Sequence, residues 1–213
     1  MGGVEVIGWR VFGTLIWVCT IVIILVKTHQ SARAIYRIQA IGEAGIMAAL
    51  AFGGLPLLWW DVALILAVKV VMVPKIMKGP SRAVSHDYGS KGPVGLTTVL
   101  LMSVLFTAGG VAVGQMAGMH HSLILGLLLG GWFVSFLHLS SRYETWSLGW
   151  ALLSLDTVSG ALVVAAAGPI PESLEIGINL AALATAVLLA LLARKISSSL
   201  HTVDVRDVEE LTG

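Results

Sequence analysis

Apolar positions along this chain fall in long runs separated by short polar or glycine- and proline-rich joins. Windows of about 20 apolar residues, the length that crosses a hydrocarbon core as a helix, lie near 7–26, 35–54, 57–77, 94–116, 120–139, 146–167 and 174–194. Seven such runs predict an all-α integral membrane protein with about seven transmembrane helices. Gly53-Gly54-Leu55-Pro56, Gly89 to Pro93, Gly118 and Gly168-Pro169-Ile170-Pro171 fall at the joins, where glycine and proline end helices and fit tight turns.

The polar positions test this layout, because successive joins must alternate between the two sides of the membrane. Lys27, Arg33, Arg37, Lys75, Lys78, Arg82, Lys91, Arg142, Arg194, Lys195 and Arg206 all fall on one side, Arg10 falls on the other, and Lys69 is left within the bilayer. By the positive-inside rule the 78–93 loop and the C-terminus are cytoplasmic and the N-terminus is outside. A cleavable signal peptide would carry its positive charge ahead of the first apolar run, whereas here the basic cluster follows it and no A-x-A-like site is present. The first span is therefore expected to stay in the mature protein. Trp9, Trp59-Trp60 and Trp146 lie near span ends, as in an interfacial aromatic belt, although tryptophan also simply packs.

Composition agrees with the pattern. The 213 residues are 57% hydrophobic and 12% charged, with a mean hydropathy of +0.92, against about 45–50% and 25% for a soluble domain. A core of this length cannot hide such a surplus. The net charge of +1 gives no support for nucleic acid as a partner, and there is no low-complexity tract or solenoid repeat. The single cysteine, Cys19, lies inside the first run and reads as a buried, inert thiol; neither a disulfide nor a CxxC metal site can form.

Three charges lie close to the middle of their spans: Glu43 in the second, Lys69 in the third and Asp156 in the sixth. Each costs roughly 2.5–3.5 kcal/mol on insertion scales, and that cost needs compensation. In one reading Lys69 neutralises Glu43 or Asp156 and the trio is a structural ion pair with one protonated acid. In the other the three form a proton or ion relay, because ionisable groups inside a membrane are rare and usually line a pathway. Ser159 and Gly160 lie at i+3 and i+4 from Asp156, and Gly42 and Gly45 flank Glu43, which suits a polar seam with close helix approach. Pro74 lacks an N–H and clashes with the carbonyl of Val70, so a kink or a bound water is expected beside Lys69.

Other polar positions have plainer readings. Asp61, Glu172 and Glu175 stand at the outer starts of the third and seventh spans, where a carboxylate complements the helix dipole. His138 lies one turn before a cytoplasmic basic loop and either carries protons near neutral pH or hydrogen-bonds a neighbour. His120 and His121 are adjacent rather than i, i+4, which does not make a same-face metal site. No nucleophile elbow, glycine-rich phosphate loop, haem motif or paired metal ligands occurs, so no cofactor, metal or catalytic residue is expected.

After the last span the tail runs ARKISSSLHTVDVRDVEELTG, with basic residues at 194–195 and then Asp204, Asp207, Glu209 and Glu210, a short amphipathic segment suited to lipid or a partner. The stretch ESLEIGINLAALATAVLLALLARKISSSLHTVDVRDVEELTG (172–213), with its EIGI, LLARKI and TxDV…LxG elements, and LAVKVVMVPKIM in the third span resemble the hydrogenase-4 component E family. The last three spans and tail, about 120–213, also resemble the small three-helix subunit of respiratory complex I and that of Mrp-type antiporters. The resemblance implies three parts: a four-helix segment (1–116), a three-helix segment (117–195) and a cytoplasmic tail (196–213). It further implies a non-catalytic membrane subunit of the bacterial or archaeal cytoplasmic membrane, set among antiporter-like subunits, other membrane subunits and peripheral redox subunits.

In that family a glutamate stands in the sixth span where this chain has Asp156, while in the complex I subunit the matching acid falls near Leu152 and Leu153. A second membrane acid of the relatives is replaced here by Ala181, with Asn179 the nearest polar residue. Glu43, Lys69, Asp156 and His138 are thus the candidate proton-pathway residues, and Lys69 is expected to answer to Glu43, Asp156 or an acid on a neighbouring subunit. Two other readings stay open: a self-sufficient small-solute or ion carrier, against which stands the lack of matched repeats or paired broken helices, and a structural scaffold with its buried charges paired off. A retinal Schiff base is disfavoured, because the familiar retinal proteins carry the linking lysine in the last span.

Overall fold

The computed structural model describes residues 3–26, 28–78, 96–116, 122–141, 145–168 and 170–200, and among them there are helices and turns but no strand. Residues 79–95, which include all of the 78–93 loop beyond Lys78, as well as Lys27, His120, His121, Arg142 and the tail from 201 onward, lie outside the described residues. Seven helical rods follow one another: Gly3–Leu25, His29–Phe52, a composite third rod, Leu96–Met116, Ser122–Ser141, Thr145–Ala167 and Glu172–Leu200. All but the third are continuous α-helices long and apolar enough to cross a membrane.

The third rod departs from the uniform helix that its apolar run predicts. It is α-helical over Leu58–Ile65, π-helical over Leu66–Met72 and α-helical again over Val73–Ile76. The wide turn follows from Pro74. Without an N–H there, the carbonyl of Val70 has no i+4 donor, and the Val73 N–H reaches back to the carbonyl of Val68 instead. The expected disturbance is therefore a π segment, with Lys69 in its middle.

Local chemistry sets the joins. The Thr28 side chain accepts a hydrogen bond from the Ser31 amide at 3.1 Å and starts the second rod, as a short hydroxyl side chain does at an N-cap. Gly54 has φ +111° after the second rod and Gly168 has φ +82° after the sixth, a region that favours glycine.

The first, second, fifth and sixth rods form the centre; the third packs on the second and seventh, the seventh on the third and sixth, and the fourth chiefly on the fifth. Two apolar clusters fill the interior. One, with Ile23, Tyr36, Met77, Trp146 and Trp150, lies toward the end that carries Arg33, Arg37, Lys75, Lys78 and Arg194. The other, with Trp9, Ile16, Met47, Leu58 and Ile65, lies toward the opposite end. Buried Thr20, Gln39, Glu43, Lys69, Ser154 and Thr157 fall between them along their rods and make a polar layer at mid-depth. The outer faces of the fourth and seventh rods expose Leu101, Val104, Leu105, Leu180, Leu188 and Leu191, as expected of surfaces turned to lipid or to other membrane helices.

The tryptophans divide. Trp59 and Trp60 are exposed near the start of the third rod, whereas Trp9 and Trp146 are buried, so those two pack inside instead of contributing to a belt. Gly42 and Gly45 serve a different neighbour from the one their position beside Glu43 suggests: a Cβ on Gly42 would stand 2.9 Å from Ile16 and one on Gly45 2.5 Å from the ring of Phe12. They seat the second rod against the first.

Glycine also lets the fourth and fifth rods approach backbone to backbone. A Cβ on Gly130 would stand 2.6 Å from Thr107 Cα, while one on Gly109 meets nothing within 4 Å. Gly130→Ala is expected to cost about 1–3 kcal/mol by forcing these rods apart, and Gly109→Ala to be neutral or to stabilise by up to about 1 kcal/mol through helix propensity. Thermal unfolding of the detergent-solubilised protein checks this; equal melting temperatures for the two variants would contradict the packing.

Candidate functional site

Glu43, Lys69 and Asp156 come from three different rods and meet in the polar layer. Lys69 Nζ donates to Glu43 Oε1 at 2.9 Å and to Oε2 at 3.0 Å, and lies 2.9 Å from Asp156 Oδ2. The ammonium thus faces two carboxylates at once, so its charge answers to both of the acids in this chain that the sequence offered as alternatives. Burial is uneven: the Lys69 side chain is fully buried and that of Glu43 is 4% exposed, but that of Asp156 is 29% exposed.

Each arm is held by local structure. The buried face of the second rod runs Tyr36, Gln39, Ala40, Glu43, Met47 and Leu50, at helical spacing, and carries Glu43 into the interior. The π segment surrounds Lys69 on the third. On the sixth rod Gly160, one turn beyond Asp156, makes room for Glu43, since a Cβ there would stand 2.5 Å from Glu43 Oε1 and 4.0 Å from Lys69 Nζ. Ser159 turns away: it donates to the Leu155 carbonyl and accepts from Trp132 Nε1 at 3.0 Å. Of the two residues expected to line a polar seam beside Asp156, Gly160 therefore faces the triad and Ser159 does not.

The charge count decides what the arrangement can do. With both acids ionised, one cation faces two anions and the cluster carries a net negative charge in a poorly solvating interior. One proton shared among the acids makes it neutral. Desolvation penalises that net charge, so the arrangement has the chemistry to accept a proton.

His138 is not part of this contact. It is buried on the fifth rod, with Nε2 3.3 Å from Ser147 Oγ. Other members of the polar layer lie between it and the triad. Ser135, one turn before His138, is 3.5 Å from Ser154 Oγ, and Gln39 Nε2 donates to Ser154 Oγ at 2.9 Å and to Thr20 Oγ1 at 2.8 Å. Gln39 is one turn before Glu43 on the same face. Side chains on the first, second, fifth and sixth rods thus trace a polar line from His138 toward Glu43. Sequence reading missed Gln39 and the serines, because neutral polar residues in apolar helices are common; the i, i+4 spacing of Gln39 and Glu43 was the available signal.

A second acidic contact was missed as well. Asp61 and Glu175 are each 3% exposed, and their carboxyl groups lie close enough to act on each other. Both read locally as carboxylates complementing a helix start; the structure instead buries them against each other between the third and seventh rods. Asn179, a turn beyond Glu175, donates from Nδ2 to the Glu175 carbonyl at 3.0 Å. Cys19 is buried in the first rod, and among the described residues no group of three or more His, Cys, Asp or Glu side chains is placed to hold a metal ion.

Comparison with known proteins agrees with the architecture. Hydrogenase-4 component E of Escherichia coli is 25% identical over 207 residues, which cover 93% of this chain and 94% of that protein, and the protein of the same name from Shigella flexneri matches to the same extent. No family model matches, and no solved structure does. With helices able to cross a membrane and this similarity along nearly its whole length, the chain is an integral membrane protein that resembles hydrogenase-4 component E.

Proposed function

We propose that this chain is a non-catalytic membrane subunit of an energy-converting hydrogenase or a related oxidoreductase complex, in which Glu43, Lys69 and Asp156 pass protons at mid-depth of the bilayer. The carrying observation is the single buried ammonium between two carboxylates from separate helices, one buried and one partly exposed, an arrangement one proton short of neutrality. The similarity to hydrogenase-4 component E supports the assignment to a complex whose redox chemistry belongs to other, peripheral subunits.

In this reading the chain crosses seven times, with the composite third rod as a span, the N-terminus outside and the basic end of the bundle cytoplasmic. His138, one turn from that end, takes up protons, and the hydroxyls of Ser135, Ser147 and Ser154 with the Gln39 amide lead from it toward Glu43. Asp156, the one partly exposed acid of the triad, opens toward a neighbouring antiporter-like subunit. A proton arriving on either acid frees Lys69 to pair more closely with the other, so the lysine couples occupancy of the two sites.

Proton translocation by the assembled complex in inverted vesicles tests this. Asp156→Asn and Glu43→Gln should each lower protons moved per electron pair by about tenfold or more with assembly unchanged, and Asp156→Glu should retain translocation. Normal translocation in both neutral variants would leave a structural ion pair. Lys69→Met should instead impair assembly, since it strands the buried Glu43 without its cation at a cost of about 3–5 kcal/mol.

Gly160→Ala offers a test that removes no charge. Its methyl group displaces the Glu43 carboxylate from Lys69 and should reduce translocation at normal redox turnover, while Ser159→Ala should not. Full coupling in the glycine variant would show that the position of Glu43 is unimportant.

A further inference from the structure

A histidine ties three rods together at the basic end of the bundle. His29 opens the second rod, and its ring bridges the third and the sixth. Nε2 lies 2.7 Å from the carbonyl of Met77, the residue that ends the third rod, and Nδ1 accepts from Trp150 Nε1 at 2.7 Å. These partners fix the tautomer: a carbonyl only accepts, so Nε2 carries the hydrogen, and an indole N–H only donates, so Nδ1 is bare. The same ring packs with its centroid 5.0 Å from that of Trp146 and 5.3 Å from that of Trp150. Met77 and Trp150 are fully buried, whereas His29 is partly exposed and open to proton exchange. Trp150 carries the contact inward. Its ring lies 5.4 Å from that of Tyr36, and one turn further along the same two rods Ser154 accepts from Gln39 at 2.9 Å. The seating of Trp150 therefore sets how the second and sixth rods meet just where the polar line passes between them.

We propose that His29 is a pH-sensitive latch: neutral, it ties the second, third and sixth rods together, and protonated, it releases Trp150 and slackens the Gln39–Ser154 step. A proton on Nδ1 sets one N–H against another, so the bond from Trp150 cannot persist. The buried indole N–H is then a donor without its acceptor, a state that the packing relieves only by moving. The charged side chains that the adjoining rod ends carry, among the described residues, are Arg33 on the second, Lys75 and Lys78 at the end of the third, and Arg194 and Lys195 on the seventh; Arg194 donates to the Ile76 carbonyl at 3.4 Å. All are cations, and a further positive charge at this end is repelled by them. The sixth rod presents Trp146 and Trp150 to the imidazole, and His138 of the fifth bonds Ser147 instead. The consequence for function rests on the relay reading of the triad, although the latch itself does not: as the basic side acidifies, the line from His138 toward Glu43 is interrupted and proton passage slows.

Fluorine NMR of the full chain, labelled with fluorotryptophan and held in lipid nanodiscs, reads the latch, with Trp150→Phe assigning the resonance. Between about pH 8 and about pH 5 the Trp150 signal of the wild type should move with the titration of one group. In His29→Gln it should stay at the position of the neutral form, because the amide supplies a donor and an acceptor and does not ionise; this variant also controls for folding. A Trp150 signal that stays still in the wild type, or moves equally in His29→Gln, would overturn the proposal. In inverted vesicles of the assembled complex, whose outer face is the basic one, both proteins should translocate equally at about pH 8. Below the midpoint of the Trp150 signal, wild-type translocation per electron pair should fall behind that of His29→Gln at the same pH, by up to about tenfold per pH unit. Identical pH profiles would overturn the link from latch to polar line. Glu43→Gln separates the two readings: if it leaves translocation intact the relay reading falls and the Trp150 signal alone still decides the latch, and if it abolishes translocation the relay stands whatever His29→Gln does.

Discussion

A single ammonium shared by two carboxylates organises the interior of this protein. Lys69 cannot be withdrawn without leaving Glu43 and Asp156 with no cation in contact, at the buried Glu43 above all. Because the three side chains come from the second, third and sixth rods, their contact also fixes how these rods meet. The apolar clusters above and below the layer are non-directional and would tolerate some sliding of the rods; a cation bonded to both oxygens of Glu43 and set against Asp156 does not.

The neighbouring backbone is shaped to the same end. Pro74 removes one amide from the third rod, and the resulting π segment has Lys69 at its centre, in a stretch where helical hydrogen bonding is already irregular. On the facing rod the absence of a side chain at Gly160 admits the Glu43 carboxylate. Proline and glycine lower helix stability where they stand, so their placement on either side of the triad has a packing role that composition alone would not assign.

The all-helical, membrane-crossing character and the three charges that meet inside were legible in the sequence, because run length and charge placement depend on the solvent rather than on the fold. Partner choice was not. Depth along each rod is readable from residue number, but rotation about its axis is set by packing, and this misdirected the reading of Gly42, Gly45 and Ser159, which lie beside the acids in sequence yet face Ile16, Phe12 and Trp132. Asp61 and Glu175 show the complementary failure: each has a sufficient local explanation at a helix start, and that explanation hid that they stand at equal depth on rods that prove to be neighbours. Trp9 and Trp146 were misread for the same reason, since position near a span end does not say whether a side chain points outward or into the core.

The uneven exposure of the two triad acids gives the cluster a direction. Glu43 is sealed among helices and reached through Gln39 and the serine hydroxyls, whereas Asp156 stands at the flank of the bundle with over a quarter of its side chain uncovered. A carboxylate left against hydrocarbon at mid-depth would lose its hydration without gaining a partner beyond Lys69, which is the physical reason the proposed function sets another polar surface against this flank. Lys69 stands between an acid enclosed by this chain and an acid open at its flank. In the proposed relay that position lets the lysine couple proton occupancy of the enclosed acid to that of the open one.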